Sequence, residues 1–113
     1  MQRTMNIDEP DFGVLLDDML RPSGCILTAA DYCDPQLEVE LAFVLKEPLS
    51  GETVSADDVY LATDYVVPAL ELIDARSFRT DPSDGVTRGV RDTITDNAAD
   101  AGVILGEIGR AHV

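Results

Sequence analysis

The stretch Gln36-Leu37-Glu38-Val39-Glu40-Leu41-Ala42-Phe43-Val44-Leu45 constrains the fold of this chain more than any other. Leu37, Val39, Leu41, Phe43 and Leu45 occupy every second position, the period of a β-strand with one apolar face. The other face carries Glu38 and Glu40, then Ala42 and Val44, so beyond the acids the strand is apolar on both sides. The two carboxylates therefore stand at the rim of something buried, on Cα atoms ~6.7 Å apart. Two bare charges at that separation repel by ~2.5 kcal/mol at an effective dielectric of about 20. No Lys or Arg lies inside the strand to offset this, whereas a divalent cation would. The same acids would also suit an exposed edge strand, where charge discourages aggregation.

Charge narrows the function classes. The 113 residues carry 22 acids against 8 bases, seven of them Arg, for a formal net charge of −14. Nucleic acid is a poor partner for such a surface, because phosphate binding needs a basic face. A cation, or an anionic substrate held through one, fits better, although solubility alone also explains an acidic surface. With 45% hydrophobic residues and no apolar run of spanning length, the chain reads as one globular domain or a piece of one, with no membrane segment. Met1-Gln2-Arg3-Thr4-Met5-Asn6 has no apolar signal-peptide core, so the expected compartment is the cytoplasm. Cys25 and Cys33 match no zinc or redox spacing and are expected to be reduced and half-buried.

Along the chain, Pro10 and Asp8 suit a helix start, and Val14, Leu15, Met19 and Leu20 take helical spacing. Cys25–Thr28 is a short strand candidate. Ser55 with Asp58 three residues on predicts a capped helix to about Tyr65, broken by Val66-Val67-Pro68. Ala69–Arg76 reads as a second, largely buried strand with Glu71 in its middle, and a lone buried Glu demands a partner. Residues 80–87 form an exposed loop, Asp92–Ala99 a short helix and Ala101–Gly106 a third strand. The class is mixed, α+β.

Glu38, Glu40 and Glu71 together offer three oxygen ligands without His or thiolate, a set that suits Mg²⁺ or Mn²⁺. Such a shell leaves positions open for a chelating substrate. Asp64 and Asp74 are rival third ligands that spacing does not separate from Glu71. Asp8, Glu9 and Asp11 form another acidic group, which helix-start chemistry alone would explain. Ile108-Gly109-Arg110-Ala111-His112-Val113 resembles the translation of a short-read sequencing adapter, so residues 1–107 are expected to be native and 108–113 a foreign tail. The only His goes with that tail, which removes His from the candidate catalysts and ligands.

Four ordered blocks carry a family resemblance: Asp8–Gly13, Leu37–Leu45, Ala62–Arg76, and Asp92–Ala98 through Gly106. They resemble the hydratase branch of the fumarylacetoacetase superfamily. The resemblance implies a mixed β-sandwich-like roll, present here only in part, and a Mg²⁺ held by carboxylates at Glu38, Glu40 and Glu71. It implies addition of water to an unsaturated 2-oxo acid, with 2-oxo-hept-4-ene-1,7-dioate of homoprotocatechuate breakdown the expected substrate, and Asp11 as a proton-handling residue. A full-length form is expected to be a homo-oligomer. Sibling reactions on a pentadienoate or an oxalocrotonate, an isomerase/decarboxylase, and a non-catalytic cation-binding module are the alternatives. The family's substrate-contacting Lys segment, which lies upstream of these blocks, has no match: the only lysine, Lys46, falls at no family site. Arg76, Arg79, Arg88 and Arg91 are candidates for pairing with a distal substrate carboxylate.

Overall fold

A computed structural model describes residues 11–107 and the backbone of Ala111 and His112. The fold is built on one mixed sheet of five strands: β1 (Leu20–Arg21), β2 (Pro35–Leu45), β3 (Thr63–Asp74), β4 (Asp100–Leu105) and β5 (Ala111–His112). Their order is β1-β4-β3-β2, with β5 also paired to β3. Two helices stand between the strands, α1 (Ala56–Ala62) and α2 (Val90–Thr95). The α+β class of the sequence reading holds.

The long antiparallel pair β2–β3 is the frame. Its register sets Glu38 against Glu71 and Glu40 against Ala69. Because side chains alternate, this fixes two faces. Glu38, Ala42, Val44, Val67, Ala69 and Glu71 lie on the buried or half-buried face, with Glu40 exposed between Glu38 and Ala42. The other face is open: Leu37, Val39, Leu41 and Phe43 are 59%, 83%, 64% and 57% exposed. The apolar stripe that defined the strand in the sequence is thus outside, and the acid-bearing face is inside. β2 is also the sheet edge, as one reading of its acids expected, yet those acids point to the covered side.

α1 begins as expected. Ser55 Oγ accepts the Asp58 N–H at 3.2 Å, and Asp58 accepts the Ser55 N–H at 2.8 Å, a complete capping box. The helix ends earlier than predicted, at Ala62, and the chain passes straight into β3 at Thr63. Pro68, expected as a breaker, sits inside that strand. Its carbonyl accepts from Gly106 at 2.8 Å, so its ring nitrogen also faces β4, where that strand has just ended at Leu105. The missing N–H therefore falls where no ladder partner waits.

Other expectations give way to long-range contacts. Residues 14–20 form no α-helix: a 3₁₀ turn at Asp17–Met19 leads into β1, which pairs in parallel with Val103 and Ile104. Both backbone polar groups of Val14 are already taken by the Asn97 amide. Cys25–Thr28 pairs with no strand and runs as irregular chain after the turn at Ser23–Gly24. The third helix is α2, starting at Val90 with Asp92 bonding back to Gly89 N at 2.8 Å, and it stops at Thr95. Asn97, Ala98 and Ala99 then take φ of 52°, 57° and 63°, a left-handed run costing about 1–2 kcal/mol at each alanine. Both cysteines are free, Cys25 half-buried and Cys33, against expectation, exposed. Of the expected foreign tail, only the Ala111–His112 backbone falls among the described residues, pairing with Val66 and Tyr65.

Candidate metal centre

The register of β2 and β3 brings the three glutamates together. One oxygen each from Glu38, Glu40 and Glu71 lies within 4.8 Å of the others. Oxygens on one Mg²⁺ at about 2.1 Å stand roughly 3 Å apart when adjacent and roughly 4.2 Å when opposite. The group is therefore a short contraction from a shared cation, and its all-carboxylate chemistry fits a hard ion. Neither rival joins it. Asp74 is buried and accepts the Cys33 and Asp34 N–H groups at 3.0 and 2.7 Å. Asp64 lies at the far end of β3, roughly 23 Å along the strand from Glu71.

Electrostatics mark Glu71. Burial pushes its carboxyl up, a hydrogen bond with Asp100 and the Asp100 charge add to this, and Glu38 and Glu40 raise it further, to about 7. An acid held half-protonated near neutrality, beside two others, is the local sign of an uncompensated cluster.

A cavity of about 330 Å³ opens beside the cluster. Glu40, Glu71 and Asp100 form its acidic wall, Asp11 stands in another part of the lining, and Phe12, Leu15, Ala42 and Val103 supply apolar surface. Asp11 reaches this place through a tether: Val14 N donates to Asn97 Oδ1 at 2.7 Å and Asn97 Nδ2 donates to Val14 O at 2.9 Å. Gly13 completes the closure. A Cβ there would overlap Asp100 Oδ2 and stand 2.6 Å from the Asn97 carbonyl.

Asp100, Asn97 and Gly13 escaped the sequence reading. Their contacts span more than eighty residues of chain, and the run Asp96-Asn97-Ala98-Ala99-Asp100 carries only the weak signal of polar groups among small ones. The arginines proposed for a distal carboxylate are elsewhere. Arg76 and Arg88 both bind Asp96, at 3.3 and 3.1 Å, and Arg79 binds Asp34 at 2.6 Å. Burial alone would raise the Asp96 carboxyl, but the Arg76 N–H and the Arg88 guanidinium hold it below the usual carboxylate range. Arg91 is exposed on α2, and none of the four lines the cavity.

Comparison with known proteins now bears on this geometry. No protein-family model matches the chain. It is 56% identical to 2-oxo-hept-4-ene-1,7-dioate hydratase of Escherichia coli over 94% of its own length and 40% of that protein's. It is 38% identical to 2-hydroxyhexa-2,4-dienoate hydratase of Comamonas testosteroni, covering 99% of this chain and 40% of the other. Among solved structures, 4-oxalocrotonate decarboxylase from Pseudomonas putida G7, complexed with magnesium and adipate, superposes with a TM-score of 0.72 at 31% identity. That match covers 93% of this chain and 38% of the decarboxylase. The resemblance to the hydratase branch of the fumarylacetoacetase superfamily is borne out: nearly the whole chain is similar to part of these enzymes. The chain spans about two fifths of the length of the relatives it matches. The same decarboxylase complexed with calcium and acetate gives a TM-score of 0.73 at 31% identity.

Proposed function

We propose that this chain carries the cation-holding part of a hydratase acting on an unsaturated 2-oxo acid. The convergence of Glu38, Glu40 and Glu71 beside a cavity whose lining includes Asp11 supports this reading most directly. In it, the three glutamates hold Mg²⁺ or Mn²⁺. When bound, the cation supplies Lewis-acid stabilisation of negative charge on the 2-oxo group.

The remaining work falls to the chain's own residues. Hydration adds a hydroxyl to one alkene carbon and a proton to its neighbour, so one group must take up and return a proton. Asp11 is proposed for that role, as a cavity acid that belongs neither to the glutamate cluster nor, as Asp100 does, to a strand of the sheet. Phe12, Leu15, Ala42 and Val103 give the carbon chain an apolar bed and limit water beside it. The cavity has room for a seven-carbon acid. Identity favours the diacid: 56% to the 2-oxo-hept-4-ene-1,7-dioate enzyme, against 38% and 37% to hydratases named for shorter acids. No arginine among the described residues is placed to grip its distal carboxylate.

The test uses a protein of the relatives' length carrying this sequence. Glu38→Gln and Glu71→Gln are each expected to lower Mg²⁺-dependent turnover of the dienol acid about 100-fold or more. Asp57→Asn, exposed in the first turn of α1, is expected to change it less than about twofold. Normal turnover in the Glu71 variant would remove the three-carboxylate centre from the mechanism.

A further inference from the structure

Asp100 is buried, 6% exposed, and among the described residues its carboxyl group pairs with no arginine or lysine. Instead it lines the same cavity as Glu71, and its carboxyl raises that of Glu71. Its direction is set by the backbone. Leu72 pairs with Gly102 and Ile73 with Asp100, so Ala101 is an extra residue on β4. In an unbroken ladder Asp100 would sit on the opposite face from Val103, the residue paired to Glu71. The bulge at Ala101 reverses that parity and turns Asp100 toward Glu71. Two further features hold it there. The left-handed run Asn97–Ala99 delivers the chain into the bulge, and Arg76 spans that run from outside, donating to the Asp96 carbonyl at 3.2 Å and the Asp100 carbonyl at 2.5 Å. On the inner side Gly13 approaches so closely that only a residue without Cβ fits against the Asp100 carboxyl.

We propose that Asp100 is a positioning residue for the carboxylate centre, holding the Glu71 carboxyl toward Glu38 and Glu40 without itself binding the cation. The inference rests on the reading of those three glutamates as cation holders. Asp100 is outside the set of oxygens that converge within 4.8 Å and lines the cavity with Glu40 and Glu71. A ligand's orienting partner typically contributes about 10- to 100-fold to metal affinity.

The hydrogen bond needs one donor, and an Asn at this position provides one from its amide with the same shape. In the protein of the relatives' length, Mn²⁺ binding is followed by electron paramagnetic resonance and Mg²⁺ by competition against it. Asp100→Asn is expected to keep the affinity within about threefold. Asp100→Ala and Asp100→Leu, the second filling the space without a hydrogen bond, are expected to weaken it about 10-fold or more. The metal-free melting temperature of each variant reports folding separately. Unchanged affinity in folded Ala and Leu variants would overturn the assignment, as would equal losses in Asn, Ala and Leu. Unfolding of both apolar variants would make Asp100 a residue of the fold and overturn it too. If the unsubstituted protein binds neither ion, the carboxylate centre itself falls, and the role of Asp100 with it.

Discussion

The two faces of the β2–β3 pair are built from the same strands and behave oppositely. On one, three acids converge, two of them half-buried, and one of these is pushed to about 7. On the other, Leu37, Val39, Leu41 and Phe43 lie mostly open to solvent. Ordinary partition would put the aliphatic residues inside and the acids outside. The inversion agrees with the proposal that the acid face holds a ligand, since an uncompensated carboxylate cluster costs stability. It also shows where the described residues leave their largest apolar surface, a patch of the kind that monomers rarely leave bare.

The largest expected effect breaks the comparison from the apolar side. Residues 1–113 made alone are expected to self-associate at micromolar concentration and to show no turnover of dienol acid. Changing Val39 and Leu41 to Thr, which keeps strand propensity, should shift sedimentation strongly toward the monomer while leaving weak Mg²⁺ binding as it was. Loss of Mg²⁺ binding on that change would mean that the two faces are not independent. A cooperative thermal transition of the unsubstituted, monomeric chain would show instead that the open face needs no cover.

A smaller effect is expected on the acid face at Gly13→Ala. The added methyl has no space between Asp100 and the Asn97 carbonyl, so the segment carrying Asp11 must lift. In the longer protein this should cost about 1–3 kcal/mol of stability, read from denaturant unfolding. An unchanged midpoint would show that this segment does not close on Asp100.

The smallest is a pH dependence confined to the acid face. Glu71 binds its proton more tightly folded than unfolded, because its carboxyl is raised from 4.5 to about 7. The folded state then holds more protons between those values, so metal-free stability should fall as pH rises from about 5 to 7.5. Saturating Mg²⁺ should flatten that slope, since the cation takes the proton's place. Melting temperatures across this range, with and without Mg²⁺, give the reading. A rise with pH in the metal-free protein would reverse the assigned sign.

Local pattern made parts of this legible. The alternation from Leu37 to Leu45 found β2, and the Ser55–Asp58 spacing found the start of α1. The strand alternation also put Glu38 and Glu40 side by side, while burial logic offered Glu71 with Asp64 and Asp74 as rivals, and the family resemblance chose Glu71. What pattern missed was decided at a distance. Val14 could not join a helix once Asn97, 83 residues on, took both of its backbone groups. Pro68 could remain in β3 only because β4 ends beside it. Asp100 faces Glu71 through one extra residue at Ala101, which no periodicity reveals because a bulge is an exception to period. Which strand face is inside was also beyond local reading. Both faces of β2 are apolar past the acids, and the choice lies with what packs against them.

The pair of hydrogen bonds between Asn97 and Val14 gives the protein a chemical clock. A side-chain amide fits there because it offers one donor and one acceptor, copying a backbone peptide. Spontaneous deamidation would leave a carboxylate with acceptors only. The Val14 N–H would keep its partner, the Val14 carbonyl would face a negative oxygen, and the Asp11 segment would lose half its fastening. Old protein would differ from new by one atom and one charge, with the damage beginning at the entrance to the cavity.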